Sequence, residues 1–260
     1  LVKKLPLAVV FSIYEKSGFR AREHYEFMLT GLVQVERELK ELSIPFITLI
    51  GEPSKSLIGL FYHTEPDAIY FDFNPLRGPR KILEETLKHV SENASIYVVD
   101  THNVVPVWET SSKQEVGAYT IRPKIHKRLE EFLVEPDQAI NHPYAWPGVV
   151  QNLDSLQKYV QAILEKQVSN GTQIGWLSGE TNARMHLEKF ITTKLENYAV
   201  NRNDPSTGNQ SDLSPYLHFG QLSSLRVALR LREVLLAYGK DLHFLSSPKM
   251  PKPEEAKNSV

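Results

Sequence analysis

The sequence predicts an α/β fold: a parallel, Rossmann-like sheet domain followed by a smaller all-helical region. Three observations carry this. The first part alternates short apolar runs with amphipathic stretches, the order expected of parallel strands covered by helices. The last part keeps only a helical period. The 260 residues are 41% hydrophobic and 23% charged, a core-forming composition unlike that of a disordered or collagen-like chain.

The elements follow in order. Leu7 to Tyr14 (LAVVFSIY) is an apolar run rich in β-branched and aromatic residues, which suits a strand covered on both faces. Basic residues precede it, as in a signal peptide, but the run is short and has no small-residue cleavage site. Arg22 to Leu42 places Tyr25, Met28, Leu29, Leu32, Val35, Leu39 and Leu42 at helical spacing. Pro45 to Ile50 is the second strand, and Glu52-Pro53-Ser54 opens a second helix. Asp67 to Phe71 is the third strand. Pro79 sits in the first turn of a helix ending near Val90, and Ile96 to Val99 is the fourth strand. From His126 to about Asn170 the pattern loosens into turns, with one helix around Leu153, Leu156, Val160, Ile163 and Leu164. Thr181 or Asn182 caps the next helix. Asn201 to Ser214 is a polar loop, Pro215 to Ser223 a short helix and turn, and Ser224 starts a helix stopped near Gly239. The expected division is a sheet domain over 1–125, a connector over 126–170, a helical region over 171–245 and a disordered tail over 246–260.

Composition excludes several classes. Lys+Arg is 30 against 31 Asp+Glu, a net charge of −1, so a globally basic nucleic-acid coat protein is excluded and a local basic groove is not. Cys is absent, which removes disulfides, thiolate metal sites and a Cys nucleophile. No apolar run reaches about 18 residues, so no membrane span is expected. The scattered histidines lack metal-ligand spacing, so no metal site is expected. His102 and His218 read as hydrogen-bonded structural residues, and Trp108, Trp146 and Trp176 as packing residues. Lys124 to Arg128 (KIHKR) reads as a solvated charged face. No glycine-rich dinucleotide or P-loop fingerprint is present. In open parallel sheets, ligands sit beyond the carboxyl ends of the strands, where Asp72 to Arg77 and Asp100 to Asn103 fall.

The loop before Ser224 is the most informative segment. The hydroxyls of Ser211 and Ser214 at a backbone turn suit phosphate oxygens, but taken alone they favour ordinary helix capping, the commoner use of Ser at such a position. The run Asn197 to Pro205 (NYAVNRNDP), followed by Ser211 to Ser223 (SDLSPYLHFGQLS), resembles the flavin-binding region of the photolyase/cryptochrome family. Within it NYAVNRNDP (Asn197 to Pro205) and LSPYLHFGQ (Leu213 to Gln221), and in the front part DFNPLR (Asp72 to Arg77), DTHNVVPVW (Asp100 to Trp108) and YTIRPKI (Tyr119 to Ile125), resemble motifs of class II cyclobutane pyrimidine dimer (CPD) photolyases. The resemblance runs from about Leu5 to Tyr238.

It implies a helical FAD-binding domain after the sheet domain, with FAD contacted by Tyr198, Ser211, Asp212, Leu213 and Ser214. Arg202 would contact a DNA phosphate, which positions DNA without reading sequence. Gln210 stands where other branches place a Thr. The implied activity is light-dependent repair of UV-damaged DNA by a carbon–carbon lyase that splits cyclobutane pyrimidine dimers with an electron from reduced FAD. A second, antenna chromophore of open identity would lie at the strand ends near Asp72 and Asp100. The implied protein is a monomer, nuclear if eukaryotic and otherwise intracellular, with no membrane partner.

The chain begins at Leu1 rather than Met. The family pattern would place a strand and helix before Leu7, and a large helical half after Tyr238 with the lesion-facing acid and the electron-transfer tryptophans. The chain is therefore expected to be a fragment with no catalytic residue of its own and little or no repair activity alone. The competing readings are a non-catalytic cryptochrome-like flavoprotein and a stand-alone α/β nucleotide-binding or interaction domain.

Overall fold

The computed structural model describes residues 5–14, 21–90, 94–147, 155–169, 171 and 175–239. The chain divides into two compact units, Leu1–Val99 with Asp137–Gly179, and Asp100–Pro136 with Glu180–Val260. Leu153, residues 240–245 and the tail over 246–260 lie outside the described residues.

In the first unit, β1 (Val9–Ile13) pairs in parallel with β2 (Phe46–Ile50), Val9 opposite Phe46 and Ile13 opposite Ile50. The strands β3 (Ala68–Asp72) and β4 (Ser95–Val99) form a second parallel ladder, Asp72 opposite Val99. One continuous sheet is the sequence expectation. Among the described residues the strands instead form two ladders, with none joining β1 to β3. Hydrogen-bonded neighbours in a sheet lie about 4.8 Å apart, and that pairing occurs only within each ladder. Burial differs as well. Every residue of β4 is exposed, although Ile96 to Val99 are apolar, and across this ladder Tyr70 stacks on Tyr97 with ring centroids 4.7 Å apart.

Helix α1 (Arg22–Glu41) supplies the main packing face. Its Tyr25 and Leu29 form one core with Ile13, Phe46 and the Leu156, Ile163 and Leu164 of α6 (Leu156–Glu165). Helix α6 lies in the stretch read as a connector. The Glu36 carboxylate of α1 holds its start, accepting from Ser155 Oγ at 2.6 Å and Leu156 N at 3.0 Å. Helix α2 (Pro53–Thr64) begins where the Glu52 carboxylate accepts from the Ser54 and Lys55 amides. Those bonds, the Lys55 amide first, lower the Glu52 pKa. Helix α3 (Arg77–Leu87) carries Pro79 in its first turn as expected.

The second unit contains α4 (Val107–Thr110), α5 (Ala118–Phe132), α7 (Glu180–Thr193), α8 (Leu195–Asn201), α9 (Ser214–His218) and α10 (Ser224–Ala237). Helix α5 holds Pro123 in its interior and buries none of its residues, so no apolar stripe announces it. Helix α7 opens at Glu180, so Thr181 and Asn182 stand in its first turn rather than at its cap. Leu187, Phe190, Leu213, Tyr216, Leu222 and Leu229 are buried. The Arg230 guanidinium of α10 grips the Glu188 carboxylate of α7 with two bonds, 2.7 and 2.9 Å. That grip lowers the Glu188 pKa. Ser223 caps α10 through the Leu225 amide, and Gly239 follows it at φ 68°, the left-handed stop that glycine favours.

Candidate functional site

The site is built where α7 breaks into α8. Phe190, buried on α7, receives the Tyr198 ring edge-on at 5.0 Å. Tyr198 is thereby held on the face of α8 that turns toward α7. One turn on, the Arg202 amide bonds the Tyr198 carbonyl at 2.9 Å and ends α8. The Arg202 side chain is exposed.

The chain then makes a self-contained turn. The Asp204 carboxylate accepts from the Ser206 amide and hydroxyl at 2.9 and 2.6 Å, and Gly208 reverses the backbone at φ 62°. Those two bonds, the Ser206 hydroxyl first, lower the Asp204 pKa. The returning strand of the loop is sewn to the helices. Asn209 Nδ2 donates to the Lys194 carbonyl at 3.3 Å, and Gln210 Nε2 donates to the Arg202 carbonyl. The Gln210 side chain is thus engaged with the backbone at Arg202.

Asp212 adopts φ 58°, one of the few left-handed non-glycine residues; Asp tolerates that region better than most side chains. Its carboxylate lies 2.9 Å from Lys194 Nζ, which also donates to the Gln210 carbonyl at 2.9 Å. Leu213 is buried and anchors the loop, and Ser214 opens α9 on the exposed side. Next in α9, burial raises the Tyr216 phenol pKa.

The residues singled out in the sequence therefore fall into two groups. Tyr198, Asp212 and Leu213 are fixed by packing or pairing. The Ser211 and Ser214 hydroxyls make no hydrogen bond to another described residue, so ordinary capping does not account for them. Two uncommitted hydroxyl donors, a backbone turned at Asp212 and an ammonium beside it make a donor set whose chemistry fits the diphosphate of FAD. Lys194 escaped the sequence reading, because only the fold brings it to a loop 16 to 18 residues further on.

Other candidates resolve differently. The Asp100 carboxylate accepts from the His102, Asn103 and Val107 amides and from Asn103 Nδ2, all within 3.0 to 3.2 Å. Burial pushes its pKa up, but the bonds from Asn103, Val107 and His102 outweigh that and hold it below the ordinary value. His102 offers its carbonyl to Ser224 Oγ at 2.8 Å, and His218 packs edge-on against Phe219. Lys124 pairs with Glu115, whose pKa falls to about 2. Arg128 pairs with Glu109 and Glu131. Trp108 and Trp176 are exposed rather than packed in a core. No group of three or more potential metal ligands occurs among the described residues. No described helix is long and apolar enough to cross a membrane.

With this geometry in view, the chain's relatives define its class. The DNA photolyase family model matches residues 2–143, and the chain belongs to that family. It is 34% identical over 238 residues to the deoxyribodipyrimidine photo-lyase of Arabidopsis thaliana, covering 88% of this chain and 47% of the relative. It is 34% identical over 235 residues to that of Potorous tridactylus, covering 90% and 43%. The chain thus spans about half the length of the curated relatives it matches. Among solved structures, a Synechocystis cryptochrome shares the fold with a TM-score of 0.72 at 14% identity, over 93% of this chain and 52% of that one. A photolyase from Sulfolobus tokodaii, described as holding two FAD molecules, has a TM-score of 0.61 at 15% identity, over 95% and 52%.

Proposed function

We propose that this chain forms the sheet domain and the opening of the FAD-binding helical domain of a class II photolyase that repairs cyclobutane pyrimidine dimers in light. The observation that carries the reading is its 34% identity, over 88% of its length, to a protein named deoxyribodipyrimidine photo-lyase. The class II assignment rests on the motifs Asp72 to Arg77, Asp100 to Trp108, Tyr119 to Ile125 and Asn197 to Pro205.

In this proposal Tyr198, Ser211, Asp212, Leu213 and Ser214 hold FAD. Ser211 and Ser214 donate to its phosphate oxygens. Leu213 keeps the loop seated from below, and Tyr198 closes its side. Bound in its reduced form, FAD supplies the electron that splits the dimer, and the protein binds, orients and tunes it. Arg202 contacts a DNA phosphate near the lesion, and the dimer reaches the cofactor flipped from the duplex. Residues 1–125 form the antenna-type domain, with a second chromophore at the strand ends. The protein acts as a monomer, in the nucleus of a eukaryotic source.

The experiment is an absorption spectrum of the purified chain after FAD is added and free cofactor removed, followed by illumination with dimer-containing DNA. A retained flavin spectrum with little or no repair by this chain alone supports the proposal. Full repair by these 260 residues would contradict the expectation that the catalytic residues lie elsewhere.

A further inference from the structure

We infer that Lys194 is a binding and positioning residue for the FAD diphosphate, an inference that rests on the flavin reading above. Lys194 occupies the break between α7 and α8, at φ −129° and outside either helix. Its backbone stays tied to Phe190, the residue that seats Tyr198, through a 2.9 Å bond. Its ammonium reaches across to the loop and bonds the Gln210 carbonyl and the Asp212 carboxylate, both at 2.9 Å. One residue therefore connects the seat of Tyr198 to the turn that presents Ser211 and Ser214.

Charge gives the connection a second purpose. A diphosphate brought to Ser211 and Ser214 meets the Asp212 carboxylate as a like charge, and like charges at close range disfavour binding. Lys194 neutralises that carboxylate where it stands. An ammonium carries three N–H donors. Two are engaged with the loop, and the third is available to a phosphate oxygen. The Glu188–Arg230 pair nearby differs, because both oxygens of the carboxylate are already engaged by the guanidinium.

The Lys194 and Asp212 side chains are 24% and 39% exposed. The pair is half-buried, and an ion pair with this much solvent contact contributes about 1 kcal/mol or less to folding. Ligand affinity should therefore depend on Lys194 far more than thermal stability does, and a merely structural lysine would show the reverse.

The test is a titration of the 260-residue chain with FAD, read by quenching of flavin fluorescence at low and moderate salt, beside thermal unfolding of each variant. Lys194→Met is expected to weaken FAD binding about tenfold, or about 1.4 kcal/mol, while the melting temperature moves by less than about 3 °C. Lys194→Arg should stay within about threefold of the natural chain, because it keeps the charge and a donor. Asp212→Asn in the Lys194→Met background should recover part of the loss by removing the repelling carboxylate. Salt should weaken binding to the natural chain more than to the Met variant. Unchanged affinity in Lys194→Met, or loss only in step with unfolding, overturns the assignment of Lys194 alone. A folded natural chain that takes up no FAD overturns the flavin reading and this assignment with it.

Discussion

Two turns in the second unit are each organised by an aspartate, and they use it in opposite ways. Asp100 is turned inward. Its carboxylate is saturated by the amides of His102, Asn103 and Val107 and by the Asn103 side chain, so the turn is complete as it stands. Asp212 is turned outward. It holds a left-handed backbone and reaches a lysine 18 residues earlier, while Ser211 and Ser214 beside it keep their donors uncommitted. The difference separates a turn that folds the chain from a loop arranged for something else to complete. Both are acidic and both lie in family-like motifs, so residue type alone does not distinguish them.

The largest effect expected from breaking this comparison is at Asp100. Asp100→Ala leaves the Val107 and Asn103 amides without their acceptor, which costs about 2 kcal/mol of stability. A shift in the chemical denaturation midpoint, with FAD retention unchanged in the fraction that folds, would show it.

A pH series should follow the same contrast with a smaller amplitude. The Asp100 pKa is depressed in the fold below its ordinary value of 3.8. Its contribution is therefore fully present above about that pH and disappears as pH falls through the lower folded value. The stability difference between the natural chain and Asp100→Asn should shrink over that acidic window, measured by denaturation from neutral pH downwards.

The smallest effect on folding is expected at Asp212. Asp212→Ala places a β-carbon without a polar partner in the left-handed region and should cost about 1 kcal/mol. Asp212→Gly relieves the backbone and should sit near the natural chain. Thermal unfolding of the pair separates backbone strain from the Lys194 contact, since both variants lose the contact and only one keeps the strain.

Much of this was legible in the sequence where burial leaves a period. The strand β2 and helices α1, α2 and α10 fall within a few residues of the ranges read from Pro45–Ile50, Arg22–Leu42, Glu52–Ser54 and Ser224–Gly239, because each carries a clear apolar stripe or cap. Helix α5 did not announce itself: it buries no residue and holds Pro123 in its middle. The separation of the strands into two ladders was equally hidden, since alternation fixes parallel pairing within a unit of strand, helix and strand but not which edges meet. At the candidate site, resemblance brought out Tyr198, Arg202 and Ser211 to Ser214. For the hydroxyls of Ser211 and Ser214 the local sequence favours capping, and only their lack of partners among the described residues argues against it. Lys194 carried no local signal at all, because its significance comes from a contact spanning 16 to 18 residues.

The central claim is that the Tyr198–Ser214 segment forms a flavin diphosphate site, and one titration tests it most directly. FAD binding to the natural chain is compared with binding to Ser211→Ala/Ser214→Ala, with ADP as a competitor that shares the diphosphate. The account predicts saturable binding by the natural chain, competition by ADP, and at least about a tenfold loss in the double variant, as expected when two hydrogen bonds to a charged group are removed. Equal FAD affinity in the two proteins, with circular dichroism unchanged, would contradict it.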